Sequence, residues 1–163
     1  MAQRQLKTVL VAFKTRLNES RKLSIDVHKF IGGVGAKALG AKTKSRMPGP
    51  DGRGTVHAEM RIGDSTIMLS DENPSWGTKS ARTLGGSPIS LHIYTHDVDA
   101  LYRRAISAGC SETMPVADMF WGDRYGKVKD PFGIEWGIGT HIEDVSPEEM
   151  KRRAADFFAQ MAK

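Results

Sequence analysis

The chain has 163 residues, a formal net charge of +5 and one cysteine, Cys110. This length allows one domain with its own hydrophobic core, and a single cysteine excludes an intramolecular disulfide. No apolar run reaches the roughly 18 residues of a membrane span, so no membrane partner is predicted. These features are typical of a cytoplasmic, single-domain protein extending over residues 1–163.

The positive charge is concentrated at the start of the chain. Residues 1–46 carry 11 Lys and Arg against Glu19 and Asp26, a net charge of +9, so the remainder carries −4. A basic arm can bind nucleic acid or an anionic membrane, and an arm this poor in acidic residues could also be a mitochondrial-type presequence. The only aromatic residues in this arm are Phe13 and Phe30, and no nucleic-acid-binding motif accompanies it. A solvated basic surface is therefore favoured, and nucleic acid is not a predicted partner.

The first half of the chain predicts a hairpin after a segment of uncertain structure. Residues 6–13 are typical of a strand, whereas the glycines within 23–41 disfavour a helix there. A Pro- and Gly-rich turn is predicted over 47–54. Alternation then predicts a strand over 55–62, followed by a third short strand over 65–70.

The second half predicts the order β-α-β-β-β over 89–139. A linker rich in Gly and Pro occupies 73–88, and an alternating strand, ISLHIYT, follows it. Asp97 is the predicted N-cap of a helix. The apolar stripe of that helix consists of Val98, Leu101, Ala105 and Ile106. The strands after the helix are predicted over 112–116, 124–129 and 134–139, with a DPFG turn before the last one.

A final helix is predicted over 146–163. Ser146 is its N-cap, Pro147 lies in the first turn, and Glu149 completes a capping box. Its predicted apolar side consists of Met150, Ala154, Phe157, Phe158 and Met161. Because both halves end in similar hairpins, the sequence predicts an α+β fold of two tandem βαβββ modules. The first spans about 5–72 and the second 89–142.

The polar face of the predicted strands contains the candidate site residues. Alternation places His57, Glu59 and Arg61 on this face in the first module, and His92, Tyr94 and Glu135 in the second. Two curved modules brought together would form a concave pocket from it. His57 and Glu59, two positions apart, could bind a metal or act as a base with its orienting partner, or they could satisfy each other as a structural pair. His92 beside Tyr94 has the same ambiguity.

The motifs HAEMRIGDSTIMLSDE, SLHIYTHDVDALYRRAISAG and FWGDRYGKVKDPFGIEWGIGTH resemble the PhnB-like branch of the vicinal oxygen chelate superfamily. That superfamily includes glyoxalase I, bleomycin-resistance proteins and extradiol dioxygenases. The resemblance runs from about Arg46 to Phe158, while residues 1–43 depart from the family pattern. It implies that the two modules form a cupped, incomplete barrel, and that the protein is a homodimer.

Metal-dependent members of the superfamily hold a divalent cation with residues from four strands. When the motifs of the superfamily are matched to this sequence, three of the four ligand positions fall on Ser90, on Gly137 and near Met68. The fourth cannot be placed. These residues are poor ligands for Zn²⁺, Ni²⁺ or Mn²⁺. The usual metal site is therefore not expected, although His57, Glu59 and His92 remain alternative ligands. No other cofactor is implied.

The resemblance leaves two functions open. In the first, the protein is a lyase- or isomerase-type enzyme in which His57, Glu59 and His92 act as base or ligands. Arg61 and Arg124 would then steady an anionic substrate. In the second, the protein binds a drug or metabolite without metal or catalysis. The ligand would then stack on the aromatic residues of the cup. Across both functions, the predicted ligand-contacting residues are Arg61, Tyr94, Trp121, Arg124, Tyr125 and Glu135.

Overall fold

A computed structural model describes residues 31–162, in which two β-sheets are accompanied by a few helices. The strand predicted over 6–13 lies outside the described residues. The described part begins with a π-helical segment, Ile31–Ala38, whose helical geometry is interrupted at Gly33 (φ −105°, ψ −110°). The prediction that glycines disfavour a regular helix here agrees with this break.

The first sheet is antiparallel and has the strand order β1-β2-β3. Its strands are β1 (Lys42–Pro48), β2 (Thr55–Ile62) and β3 (Ser65–Leu69). Strand β1 was missed by the sequence analysis, which predicted only a turn from residue 47. Every residue of β1 is exposed, so the strand has no apolar alternation by which it could be recognised. It forms through its pairing with β2.

The second sheet has the strand order β4-β7-β6-β5. Its strands are β4 (Ser90–Tyr94), β5 (Ser111–Asp118), β6 (Asp123–Lys129) and β7 (Glu135–His141). Strand β4 pairs in parallel with β7, and the other pairs are antiparallel. Helix α1 (Val98–Ser107) connects β4 to β5 across the sheet. This order confirms the β-α-β-β-β prediction for the second half.

Helix α1 begins where the sequence predicts, because the Asp97 carboxylate accepts a hydrogen bond of 2.9 Å from the Ala100 amide. One member of its predicted apolar stripe is wrong. Ile106 is 38% exposed, and Tyr102 is buried in its place. The Tyr102 hydroxyl donates to Glu112 at 2.7 Å, so the ring packs in the core while its polar end stays bonded.

Both sheets contribute to one hydrophobic core beneath α1 and the π-helical segment. Met60, Ile62 and Ile67 come from the first sheet. The second sheet and α1 contribute Leu91, Ile93, Val128, Trp136, Ile138, Val98, Leu101 and Ala105. The opposite faces of the strands are therefore left free for polar and aromatic residues, and the two sheets do not close into a barrel.

Helix α2 (Pro147–Met161) begins at Ser146, whose hydroxyl accepts from the Glu149 amide at 3.2 Å. Its predicted apolar side is only partly covered: none of its residues is fully buried, and Phe158 and Met161 are 61% and 72% exposed. Phe120 packs against Phe157 and Phe158, with ring centroids 5.1 and 6.2 Å apart. No helix among residues 31–162 is long and apolar enough to cross a membrane.

Candidate functional site

The candidate site lies on the face of the second sheet that is opposite to α1. Here His92 and Tyr94 of β4 and Tyr125 of β6 flank strand β7, which has glycine at positions 137 and 139. His92 pairs in register with Gly137, and Tyr125 pairs with Gly139. Because β7 has no side chains at these two positions, rings from both neighbouring strands can lie over it.

We call His92, Tyr94, Trp121 and Tyr125 the aromatic cluster. The rings of His92 and Tyr125 are stacked, with centroids 5.2 Å apart and planes inclined by 15°. Tyr94 lies against His92 at 4.9 Å. A Cβ atom at position 139 would lie 3.5 Å from each of the three rings. A Cβ atom at position 137 would collide with the Tyr125 hydroxyl, so Gly137 makes room for this ring.

A buried carboxylate, Asp123, holds the cluster at one end. Its side chain is 4% exposed. One oxygen accepts from the Tyr94 hydroxyl at 2.7 Å and from the Trp121 indole at 3.0 Å. The other oxygen contacts His141 Nδ1 at 3.0 Å. A buried carboxylate with three such partners is satisfied, and it fixes two rings of the cluster in place.

The loop that carries Trp121 is fastened to the segment after β7. Gly122 has φ +90°, and a Cβ atom there would collide with the Glu143 carbonyl oxygen. The Ile142 and Glu143 amides both donate to the Gly122 carbonyl at 3.0 Å. Glycine is required here by both the conformation and the close approach of the two chain segments. Trp121 is thereby placed edge-on to Tyr125, with centroids 5.7 Å apart.

The protonation states of the cluster follow from its burial. Burial lowers the pKa of His92, against a smaller opposing effect of Asp123, so the imidazole is neutral at pH 7. His92 Nε2 is buried and has no hydrogen-bond partner in the described residues. Burial also raises the pKa of Tyr125, which keeps its hydroxyl protonated. Hydrogen bonds to Asp123 and Asp144 raise the pKa of His141.

The candidate pair His57 and Glu59 lies on β2 in the other sheet. His57 Nε2 is 3.6 Å from a Glu59 oxygen, and Lys44 Nζ is 3.5 Å from the other oxygen. Within the described residues, the polar contacts of this pair are with each other and with Lys44, and none joins the pair to His92. Arg61 donates to the Gly63 carbonyl at 2.9 Å, within its own hairpin.

Arg124 lies on the helix side of the second sheet. Its guanidinium donates to both oxygens of Asp99 in α1 at 2.7 and 2.9 Å, and to Asp118 at 2.8 Å. These bonds hold the pKa of Arg124 above its ordinary value. The structure therefore places Arg124 away from the aromatic cluster, in a contact that joins α1 to the sheet.

The positions at which the resemblance would place metal ligands do not fit a divalent cation. Beside Gly137, the Tyr125 hydroxyl fills the space where a ligating side chain would begin. Ser90 and Met68 contribute only a hydroxyl and a thioether, which are weak ligands for such cations. Among residues 31–162, no three His, Cys, Asp or Glu side chains are grouped to hold a metal.

Sequence reasoning missed Asp123, Lys127 and His141 as site residues. Alternation along β6 could have found the first two, because Asp123, Tyr125 and Lys127 occupy every second position. His141 ends β7 on the same face as Gly139. Its contact with Asp123 joins residues 18 positions apart, which no local pattern reveals.

A depression of about 460 Å³ lies beside α1, away from the aromatic cluster. It is lined by Lys37, Ala100, Arg103, Arg104, Ser107 and Ala108. Arg104 donates to the Ala38 carbonyl at 3.3 Å, near the end of the π-helical segment. Cations near helix C-termini are favourable for structural reasons, so this depression is a weaker candidate site.

The family of the chain follows from its sequence. Residues 36–138 match the family model described as the glyoxalase/bleomycin resistance protein/dioxygenase superfamily. The chain belongs to this superfamily. An uncharacterized protein of Mycobacterium tuberculosis strain H37Rv, Rv0887c, is 42% identical over 118 residues, which are 71% of this chain and 69% of that protein.

Solved structures of the superfamily share the fold. A PhnB protein from Bacillus cereus has a TM-score of 0.57 at 11% identity, covering 82% of this chain and 98% of its own. TnmS3, an antibiotic-binding protein from Streptomyces sp. CB03234, has a TM-score of 0.51 at 21% identity, covering 81% of this chain and 93% of its own. These likenesses agree with the predicted glyoxalase-type fold and with the predicted PhnB-like resemblance.

Proposed function

We propose that the protein binds a flat small molecule on the aromatic cluster, without a metal ion. The observation that carries the proposal is the stack of His92 and Tyr125 over a strand without side chains at Gly137 and Gly139. Aromatic rings held in fixed positions offer a flat apolar surface with little conformational entropy to lose on binding. The antibiotic-binding neighbour supports such a role for this fold.

The exposure of the rings and their fixation by Asp123 suit the aromatic cluster to stacking with a ligand. Tyr94 is 36% exposed, so it offers ring surface to a ligand, whereas His92 and Tyr125 lie deeper and support it. Asp123 fixes Tyr94 and Trp121 before any ligand arrives. Such preorganisation reduces the cost of binding.

A fluorescence titration with 2-naphthamide and its saturated decahydro counterpart tests the proposal. We expect the flat amide to bind about tenfold more tightly, because only the flat molecule can stack. Tyr125→Leu should weaken its binding, and excess EDTA should leave binding unchanged. Equal affinity for the two amides, or loss of binding in EDTA, contradicts the proposal.

An enzyme that uses His92 as a general base is the second candidate. Its support is the unpartnered Nε2 atom of His92 together with the lowered pKa, which leave a neutral imidazole at pH 7. His92→Phe keeps a ring for stacking and removes the base. Under the binding proposal, His92→Phe retains affinity and there is no turnover to lose. An enzyme would lose turnover in this variant while it keeps its affinity for the substrate.

The homodimer that the resemblance implies is also a proposal. Its support is the exposed apolar side of α2, where Phe158 and Met161 face solvent, because patches of this kind are typical of interaction sites. Light scattering after size-exclusion chromatography tests it. A mass of twice the chain is expected, and a monomer across the accessible concentration range contradicts it.

A further inference from the structure

The aromatic cluster has a polar end beside Gly137, opposite to Asp123. Lys127 and Lys129 follow Tyr125 at every second position of β6, so their side chains lie on the same face of the sheet as the ring. In register, Lys127 lies directly across from Gly137, and Lys129 directly across from Glu135. The side chains of Tyr125, Lys127, Lys129 and Glu135 therefore converge on one end of the cluster.

The Tyr125 hydroxyl is available for a ligand. The residue is 8% exposed, its ring lies over Gly139, and its hydroxyl reaches Gly137. Within the described residues this hydroxyl has no hydrogen-bond partner, whereas Tyr94 and Tyr102 both donate to carboxylates. A protonated hydroxyl without a partner, in a largely buried place, has a hydrogen bond still to make.

The charge at this end is positive. Lys127 Nζ is bonded to a Glu135 oxygen at 2.9 Å, and the other Glu135 oxygen accepts from Thr113 at 3.5 Å. Two lysines thus face one carboxylate that already has partners. At the opposite end, both Asp123 oxygens are engaged by Tyr94, Trp121 and His141. An anionic group is therefore favoured at the lysine end, and a cationic group is disfavoured there.

We infer that the flat ligand carries a carboxylate or a similar anionic oxygen, which the Tyr125 hydroxyl and the Lys127 ammonium bind beside Gly137. This inference rests on the proposed function and adds the chemical class of its ligand. Tyr125 supplies both a stacking surface and a donor. Lys127 is about one-third exposed, so it can turn from Glu135 toward a ligand oxygen without uncovering a buried charge.

Three probes of nearly equal shape and different charge test the inference: 2-naphthoate, 2-naphthamide and 2-naphthamidine. We expect 2-naphthoate to bind the wild type at least about tenfold more tightly than the amide, and the amidine to bind most weakly. Lys127→Met should remove most of the preference for 2-naphthoate over 2-naphthamide and leave the affinity for 2-naphthamide nearly unchanged. Tyr125→Phe should keep stacking and lose part of the preference for the acid.

Lys151→Met is the matched control, because it removes the same charge from an exposed position of α2 that is outside the site. It should leave all three affinities as in the wild type. If 2-naphthamide binds and 2-naphthoate binds no more tightly, this inference is overturned and the proposed function stands. A preference for 2-naphthoate that is undiminished in Lys127→Met also overturns it. Failure of all three probes to bind contradicts the proposed function itself.

Discussion

Tyr125 lies over Gly137, and its hydroxyl occupies the space in which a side chain at position 137 would begin. The two residues are on neighbouring strands, β6 and β7, and they depend on each other. The ring can lie flat only because β7 has glycine there. This relationship explains the stacked cluster, and it leaves no room for a ligating side chain at position 137.

Gly137→Ala should therefore destabilise the protein by about 1–3 kcal/mol, because the new methyl group displaces a largely buried ring. Gly139→Ala is the matched control, since its methyl group would meet the rings at an ordinary contact distance of 3.5 Å. Urea denaturation measures both. In the Gly137→Ala background, Tyr125→Phe should recover part of the loss. Equal costs for the two alanine variants contradict the placement of the Tyr125 hydroxyl.

Asp123→Asn should cost about 1–3 kcal/mol of stability, because an amide cannot accept all the bonds that the buried carboxylate accepts. The pKa of His141, followed by NMR, should fall toward its ordinary value, since Asp123 is the largest cause of its rise. Asp144→Asn is the comparison, because Asp144 also bonds His141 but its side chain is 97% exposed. It should cost little stability. A larger cost for Asp144→Asn than for Asp123→Asn contradicts this network.

His92 and His141 should shift stability in opposite directions with pH. The folded-state pKa of His141 is raised above 6.5, so its contribution is complete below about pH 6.5 and is lost as the pH rises through the folded value. The folded-state pKa of His92 is lowered, so the unfolded chain takes up the proton first, and stability falls as the pH drops below about 6.5.

Urea denaturation at about pH 5, 7 and 9 measures these effects in two variants. The wild type should gain stability between about pH 9 and pH 7, and His141→Gln should remove this gain. The wild type should lose stability between about pH 7 and pH 5, and His92→Gln should remove this loss. If stability depended on pH in the same way in both variants, the different environments described for His92 and His141 would be contradicted.

Arg124→Lys should lower stability slightly, because lysine cannot make the bidentate bond to Asp99. The affinity for 2-naphthoate should stay the same, because Arg124 lies on the helix side of the sheet. The affinity measurement separates this position from the sequence-based hypothesis, in which Arg124 steadies an anionic substrate. A weaker affinity in Arg124→Lys would support that hypothesis.

The sequence predicted the second half of the fold well, because its strands alternate and its helices have capping residues such as Asp97 and Ser146. It missed β1, since a fully exposed strand has no apolar period. It also identified the apolar side of α2, but it could not show that Phe158 and Met161 on that side are exposed. Periodicity shows which residues share a face and not whether anything covers that face.

For the site, alternation along the strands was enough to place His92, Tyr94 and Glu135 on the polar face. It could not show that Tyr125 stacks on His92, because the two residues are 33 positions apart and meet only across β7. Alternation also could not show that His92, and not His57, belongs to the aromatic cluster. Among the described residues, His57 has Glu59 as its polar contact, whereas His92 lies within an aromatic cluster.

The position of a bound flat molecule tests the central claim most directly. We would titrate ¹⁵N-labelled protein with 2-naphthamide and follow the backbone amides by NMR, since ring currents shift amides close to the ligand. The account predicts the largest changes at Gly137, Gly139 and His92, with little change at Arg103 and Arg104. Changes centred on Arg103 and Arg104, or no changes at Gly137 and Gly139 at saturation, would contradict it.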